Sequence, residues 1–237
     1  MNCVILQPSY IPWRGYFHQI AKADVFVFLD DVQYDKRGWR NRNRIKTHHG
    51  ILWLTIPVLS KGAQTEHIPI RKIPICWDRP WNHDHWLTLK SAYSRAPYFR
   101  KYAPLIEEFY QRHYDLLADF TIDLTIVLTR ELGINHTRFI RSSSLQTTGG
   151  KNERLIEIMR LIEGTHYISG PSAKNYLDEK RFQDAGFEVE YMVYDYPEYE
   201  QLYPPYEPFV SILDLLFMKG PDSIHYFYKE VVIRESN

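Results

Sequence analysis

A block of positive charge is the most distinctive chemical feature of the sequence. KRGWRNRNRIK, residues 36–46, contains six basic residues and no acid. Guanidinium groups bind phosphate and carboxylate oxygens through paired hydrogen bonds, so the block is a candidate anion site. Its alternative interpretation is an ordinary solvated surface. In an extended conformation one face of the block would carry Arg40, Arg42, Arg44 and Lys46, and the other would carry Asn41 and Asn43.

TTGGKNER, residues 147–154, is a second candidate anion site. Its two glycines let backbone N–H groups turn toward a ligand, and the start of the following helix adds partial positive charge. Thr148, Lys151 and Arg154 are the side chains that we expect to contact a phosphate there. The alternative is a capped helix with charged residues on its surface.

The stretch from residue 7 to residue 33 combines a stiff aromatic turn with a pair of acids. Trp13 offers a ring face, Tyr16 offers a phenolic donor, and Gly15 leaves room for a close approach. Asp30 and Asp31 are suited to act as a general base, to orient an amine or to hold Mg²⁺. A packed turn and an ordinary acidic strand end are the alternatives. Two amides flank these residues, Gln7 and Gln33.

Short apolar strands alternate with amphipathic helices along the chain, which predicts a parallel sheet. The strands are NCVILQ, DVFVFLDDV, HTRFIRSSSL, THYISG and FEVEYMVY. Parallel strands end at a common edge, and ligands bind beyond that edge where the strand order reverses. Most of the candidate residues follow directly after one of these strands, and Ser169 and Gly170 follow the fourth. We therefore predict one binding cleft at this edge of the sheet.

An excursion separates the second strand from the third. RNRIK, THHG and ILWLTIPV predict a β-hairpin, and helical segments follow, with residues 98–133 divided between two helices. The sequence thus predicts a single doubly wound α/β domain over residues 1–237. About five mostly parallel strands form its sheet, and residues 36–130 form a hairpin-plus-helix insertion after the second strand.

The composition narrows the class of protein. The 237 residues include 29 Lys and Arg against 29 Asp and Glu. This neutral balance disfavours nucleic-acid binding, although Trp39 beside the basic block would suit a single strand. Nine acids between residues 178 and 207 are interpreted as a solvated surface. Two cysteines are too few for a disulfide framework, and HDH at 83–85 has no third metal ligand nearby.

The chain also shows no targeting signal in its sequence. No apolar run approaches the ~20 residues of a membrane span, and the first ten residues have no basic segment of a signal peptide. We therefore expect a cytoplasmic protein without a membrane span.

Five motifs together resemble the WbqC-like protein family. They are QPSYIPWRGYFHQIAKADVFVFLDDVQY, RNRIK, WLTIPV, YISGPSAKNYL and SILDLLFMKG, in order along almost the whole chain. The resemblance implies a bacterial or archaeal protein of surface-polysaccharide (O-antigen-type) biosynthesis. It further implies aminoacyl or glycine transfer to an amino sugar from a nucleotide-activated donor. In such an enzyme we expect catalytic roles for Tyr16, Asp30, Asp31 and Lys151.

The first strand, turn, helix and second strand also resemble the HIGH-type nucleotidyltransferases, such as pantothenate synthetase. Gly15 matches the glycine of that tetrad, whereas Trp13 and Tyr16 stand where the pattern has histidines. This resemblance implies a strand order of 3-2-1-4-5, with a cleft over the first and fourth strands. For a nucleotide-activated donor of this kind we expect ATP or a nucleotide sugar as the cofactor, with Mg²⁺.

Two functional hypotheses follow. The first is a transferase or ATP-dependent amide-forming ligase that acts on an amino sugar and a small phosphorylated ligand. The second is a non-catalytic protein that binds a nucleotide or nucleotide sugar through the same anion site.

Overall fold

The structure, a computed structural model, describes residues 1–228. Its strands are β1 (Asn2–Leu6), β2 (Val25–Phe28), β3 (Arg42–Thr47), β4 (Gly50–Thr55), β5 (Arg138–Arg141), β6 (His166–Ser169) and β7 (Glu188–Tyr191). Its α-helices are α1 (Arg14–Lys22), α2 (Trp81–Tyr93), α3 (Phe99–Gln111), α4 (Leu117–Glu131), α5 (Lys151–Leu161), α6 (Glu179–Asp184) and α7 (Ile212–Lys219). Short 3-10 helices cover Ile70–Lys72, Ser142–Ser144, Pro171–Asn175 and Gly220–Phe227.

Five of the strands form a parallel sheet in the order β5-β2-β1-β6-β7. Counted along the sheet's own strands, this is the predicted order 3-2-1-4-5, and the prediction is confirmed. The central strand is apolar because both of its faces are covered: Cys3 and Val4 are completely buried. A strand with no solvent-facing side has no place for alternating polar residues.

Alternate side chains of the sheet serve two separate apolar layers. On one face Val25 and Val27 pack with Ile158 and Met159 of α5. On the other face Phe26 and Phe28 belong to the larger core, which includes residues of α1 to α4 and α7. Helices therefore cover both faces, as expected of a doubly wound sheet.

The predicted hairpin lies outside this sheet. β3 and β4 pair antiparallel, from Arg42 opposite Thr55 to Thr47 opposite Gly50. Residues 98–133 are divided between two helices, α3 and α4, as predicted. The break between them falls at residues 112–116, and Pro104 is accommodated inside α3. Within the described residues, no helix is long and apolar enough to cross a membrane.

Candidate functional site

A cleft of about 1100 Å³ opens beyond the carboxyl ends of β1 and β6. From β1 the chain adds β2 and β5 on one side of the sheet and then β6 and β7 on the other. The strand order therefore reverses between β1 and β6, and the cleft occupies this switch point of the sheet. Eleven of the predicted site residues line the cleft: Gln7, Trp13, Tyr16, Gln33, Arg40, Asn43, Arg44, Lys151, Arg154, Ser169 and Gly170.

The charge on the cleft wall is strongly unbalanced. Four basic side chains line it, Arg40 and Arg44 from one segment and Lys151 and Arg154 from another. Among the described residues the one acid on the wall is Asp35, which the sequence analysis did not identify. The buried Nε atoms of the three arginines also have no hydrogen-bond partner among the described residues. The wall therefore has unused donors and net positive charge.

Like Arg44 and Lys151, Arg40 has no ion-pair partner within the described chain. Burial lowers the pKa of Arg40, while nearby Tyr16 and Asp35 oppose that shift. An arginine keeps its charge in spite of such a shift. The molecule thus holds a half-buried cation at the cleft, near Asp35 but without a direct ion pair.

The basic block does not act as one uniform face. Arg44 lines the cleft and donates a hydrogen bond to the carbonyl oxygen of Phe209 at 2.8 Å. Arg42 lies outside the cleft wall, where its guanidinium stacks over the Trp53 ring at 4.9 Å and donates to the carbonyl oxygen of Arg37. Lys46 is also placed elsewhere, buried with its Nζ 3.4 Å from Oε1 of Gln201. The structure therefore brings only Arg40 and Arg44 of the predicted basic face to the site.

The aromatic turn is built around Trp13. Gly15 lies under the indole, and a Cβ atom at this position would collide with the Trp13 ring. The glycine thus makes room for the protein's own tryptophan, whereas we had expected it to admit a ligand or the first strand. Trp13 in turn packs against Tyr194 and Phe209, with ring centroids at 4.9 and 5.5 Å.

Tyr194 and Phe209 belong to a segment that sequence reasoning missed, here named the strap, residues 192–211. Both residues line the cleft, and Arg14 anchors the strap by donating to the carbonyl oxygen of Pro197 at 2.9 Å. The acids of residues 178–207 are exposed, apart from the half-buried Glu207, as the solvated-surface interpretation predicts. Aromatic residues are frequent between those acids, and this pattern could have indicated that the segment packs against the rest of the protein.

Tyr16 is held as a hydrogen-bond donor within the cleft wall. Its hydroxyl donates to the carbonyl oxygen of Gln7 at 3.1 Å. Burial raises the pKa of Tyr16, and neighbouring Arg40 only partly offsets that rise. The phenol therefore stays protonated at neutral pH, and its proton is already engaged.

The two predicted acids differ in position, and neither lines the cleft. Asp30 is completely buried behind the wall, where it accepts hydrogen bonds from Ser142 Oγ, Ser143 N and Ser143 Oγ. Asp31 accepts a hydrogen bond from Ser142 Oγ at 2.5 Å, and its Oδ1 lies 3.8 Å from Nη1 of Arg154. Asp30 thus ties β2 to the end of β5, and Asp31 neutralises part of the charge of Arg154.

The predicted anion cradle before α5 is occupied by the protein's own carboxylates. The N–H of Thr148 donates to Oε2 of Glu157 at 2.9 Å. Glu153 accepts from its own backbone N–H, which together with Arg181 lowers the pKa of Glu153. Thr148 is not on the cleft wall. This region therefore contributes the side chains of Lys151 and Arg154 to the cleft, while the N–H groups of Thr148 and Glu153 donate to carboxylates of the same chain.

The amides on the wall are mostly committed to structure. Asn43 donates to the carbonyl oxygens of Tyr10 and Ile11, at 3.0 and 2.9 Å, and so supports the positive φ of Ile11. Gln33 donates to Gln64 O, and its Oε1 lies 3.0 Å from Nδ1 of His67. Across residues 1–228, no three His, Cys, Asp or Glu side chains converge as metal ligands.

Comparisons with known proteins agree with the family resemblance of the sequence. The family model described as "WbqC-like protein family" matches residues 7–226. The chain is also similar to a protein of Mycobacterium tuberculosis (strain ATCC 25618 / H37Rv), named "Uncharacterized protein Rv1507c". The two are 42% identical over 227 residues, which cover 94% of this chain and 96% of that protein. No solved structure matches the chain.

Proposed function

This chain belongs to the WbqC-like protein family, and we propose that its cleft binds a nucleotide or nucleotide sugar through the ligand's phosphate groups. The observation that carries the proposal is the charge of the wall: four basic side chains against one acid, in a chain whose formal net charge is 0. Phosphate oxygens accept the paired hydrogen bonds that guanidinium groups donate. Arg40, which has no direct counter-charge, would bind the phosphate most directly.

The rest of the wall suits the remainder of such a ligand. Seven aromatic side chains line the cleft, and they offer ring faces and edges for a base or a sugar: Trp13, Tyr16, Trp39, Tyr167, Tyr176, Tyr194 and Phe209. The cleft volume of about 1100 Å³ is at the upper end of the range for small-molecule sites. A phosphorylated donor and a second, smaller substrate would fit together.

The reaction that we propose is transfer of an activated acyl or aminoacyl group to an amino sugar, in the biosynthesis of a surface polysaccharide. The family resemblance supports this class of reaction. The cleft would contribute by positioning the donor and by stabilising the charge that develops on its phosphate when that group leaves. Of the four predicted catalytic residues, Lys151 and Tyr16 line the cleft; the Tyr16 hydroxyl already donates to Gln7, so Lys151 is the one that we propose for contact with the leaving phosphate.

A second candidate function is binding without catalysis. This function is supported by the hydrogen bonds of two predicted catalytic residues. Tyr16 donates its hydroxyl proton to Gln7, and Asp30 accepts hydrogen bonds from Ser142 and Ser143. ATP consumption that depends on an amino-sugar acceptor would favour the enzyme. Tight nucleotide-sugar binding with no turnover for any acceptor would favour the binding protein.

Two neighbouring arginines provide a matched test of the binding proposal. Calorimetric titration with ATP and with a nucleotide sugar should show that Arg44→Ala weakens binding by about 10-fold, since a charge-assisted hydrogen bond contributes roughly 1.5 kcal/mol or more. Arg42→Ala removes the same side chain two residues away, outside the wall, and should change affinity by less than about twofold.

Equal losses of affinity in the two variants would mean that the summed positive charge of residues 36–46, and not a contact of Arg44, attracts the ligand. Absence of binding by the unaltered protein, across nucleotides and nucleotide sugars, would overturn the proposal.

A further inference from the structure

The outer strand of the hairpin, β4, presents an open sheet edge. It pairs with β3 along one side, and no other strand of residues 1–228 pairs with it. In an antiparallel ribbon, alternate residues direct their N–H and C=O groups away from the partner strand. These groups form a ready template for another strand.

The residues of β4 do nothing to block such pairing. The sequence GILWLT contains no charge and no proline, and its register with β3 runs without a bulge from Arg42–Thr55 to Thr47–Gly50. Three consecutive apolar side chains remain exposed, with Ile51 at 38%, Leu52 at 42% and Trp53 at 45%. Natural proteins usually protect an edge with lysine, proline or a bulge.

The large sheet of the same molecule shows the protection that β4 lacks. Its two edge strands are β5, with the sequence RFIR, and β7, with the sequence EVEY. β5 begins and ends with an arginine, and β7 carries glutamates at alternate positions; such charges disfavour pairing with a further strand. The open edge of β4 is therefore a local feature of the hairpin.

We propose that β4 pairs with β4 of a second copy of this chain, in antiparallel orientation across a two-fold axis. Residues opposite each other in an antiparallel pair lie on the same face. Ile51 and Trp53 would therefore meet Ile51 and Trp53 of the other copy, and Leu52 would meet the same face of the other copy's strand. The segment is self-complementary in this arrangement, as a two-fold interface requires.

The positions of the charges favour a second copy as the occupant. No like charges would face each other at the new strand pair, because β4 has none. The nearest guanidinium groups, those of Arg42 and Arg44, are on the far strand of the hairpin and lie over the Trp53 ring, at 4.9 and 5.8 Å. Pairing also turns a two-stranded ribbon, which is of marginal stability by itself, into a four-stranded sheet.

The test is the mass in solution, and it does not depend on any nucleotide. Sedimentation velocity of the full chain, from about 1 to about 100 μM, should show two chains associating reversibly. Leu52→Lys should weaken association by about 100-fold, because each dimer loses two leucine contacts and gains two ammonium groups in the interface. Leu161→Lys makes the same change at another exposed leucine, 54% exposed at the end of α5, and should leave association intact.

Folding of both variants is checked by circular dichroism, and Ile51→Lys repeats the test if Leu52→Lys does not fold. A parent chain that stays monomeric over the whole range would overturn the proposal. So would a dimer that persists in the folded Leu52→Lys and Ile51→Lys variants, or an edge that takes up a different polypeptide while the chain alone is monomeric.

Discussion

Two segments bring positive charge to the cleft, and they differ in how far acids of the same chain neutralise that charge. At the start of α5, Arg154 is partly neutralised by Asp31, and Glu157 occupies a loop N–H. On the other segment, Arg40 is half-buried and has no ion-pair partner among the described residues. The sequence signals of the two segments looked equivalent. What distinguishes them is a direct ion pair, which Arg154 has and Arg40 lacks, and we therefore expect Arg40 to gain most from a bound anion.

The largest effect should therefore come from Arg40. Arg40→Ala should weaken binding of a phosphorylated ligand by about 30-fold, which corresponds to about 2 kcal/mol. The same change should leave the ligand-free protein about as stable as the parent, because it removes a half-buried charge without breaking an ion pair. Calorimetric titration and thermal unfolding without ligand measure the two quantities. Lower stability together with unchanged affinity would mean that Arg40 is a structural residue.

A smaller effect of opposite sign is expected at Asp31. Asp31→Asn keeps an acceptor for Ser142 but removes the charge beside Arg154, so affinity for a phosphorylated ligand should rise by about threefold. The gain should shrink with added salt, which screens partly exposed charges. Titration at low and high salt checks this, with Glu108→Gln, which breaks the Arg112 pair outside the cleft wall, as the control. A loss of affinity would show that Asp31 positions Arg154 or contacts the ligand.

The smallest effect is expected at the Thr148–Glu157 hydrogen bond, in the loop before α5. Glu157→Gln removes the carboxylate that accepts from Thr148 N–H, and we expect affinity to change by less than about twofold because this N–H is not on the cleft wall. The same titration measures it. An increase of 10-fold or more would mean that a ligand phosphate competes with Glu157 for the loop, and the difference between the two segments would then disappear.

The parallel sheet could be predicted because short apolar strands alternate with helices along the chain, whereas its strand order was implied by the resemblance to the HIGH-type nucleotidyltransferases. The edge that holds the cleft could be predicted because parallel strands end at a common edge. The distinction between Arg44 and Arg42 could not, because it depends on which neighbour each long side chain contacts. Asp30 was assigned to the site from its place at a strand end, but its partners, Ser142 and Ser143, lie more than a hundred residues away. The strap was missed because it has neither helical nor strand periodicity.

The hydrogen bonds that shape the cleft join parts of the chain that are synthesised far apart. Asn43 holds the turn at Tyr10 and Ile11, Arg44 donates to Phe209, 165 positions later, and Arg14 donates to Pro197, 183 positions later. Contacts of such long range form late and slow the folding of a domain. A nascent chain that has emerged only to the end of β6 can already pair β1 with β2 and β6, yet it lacks the strap. The capacity to bind a ligand should therefore appear only near the completion of synthesis, well after the sheet itself has formed.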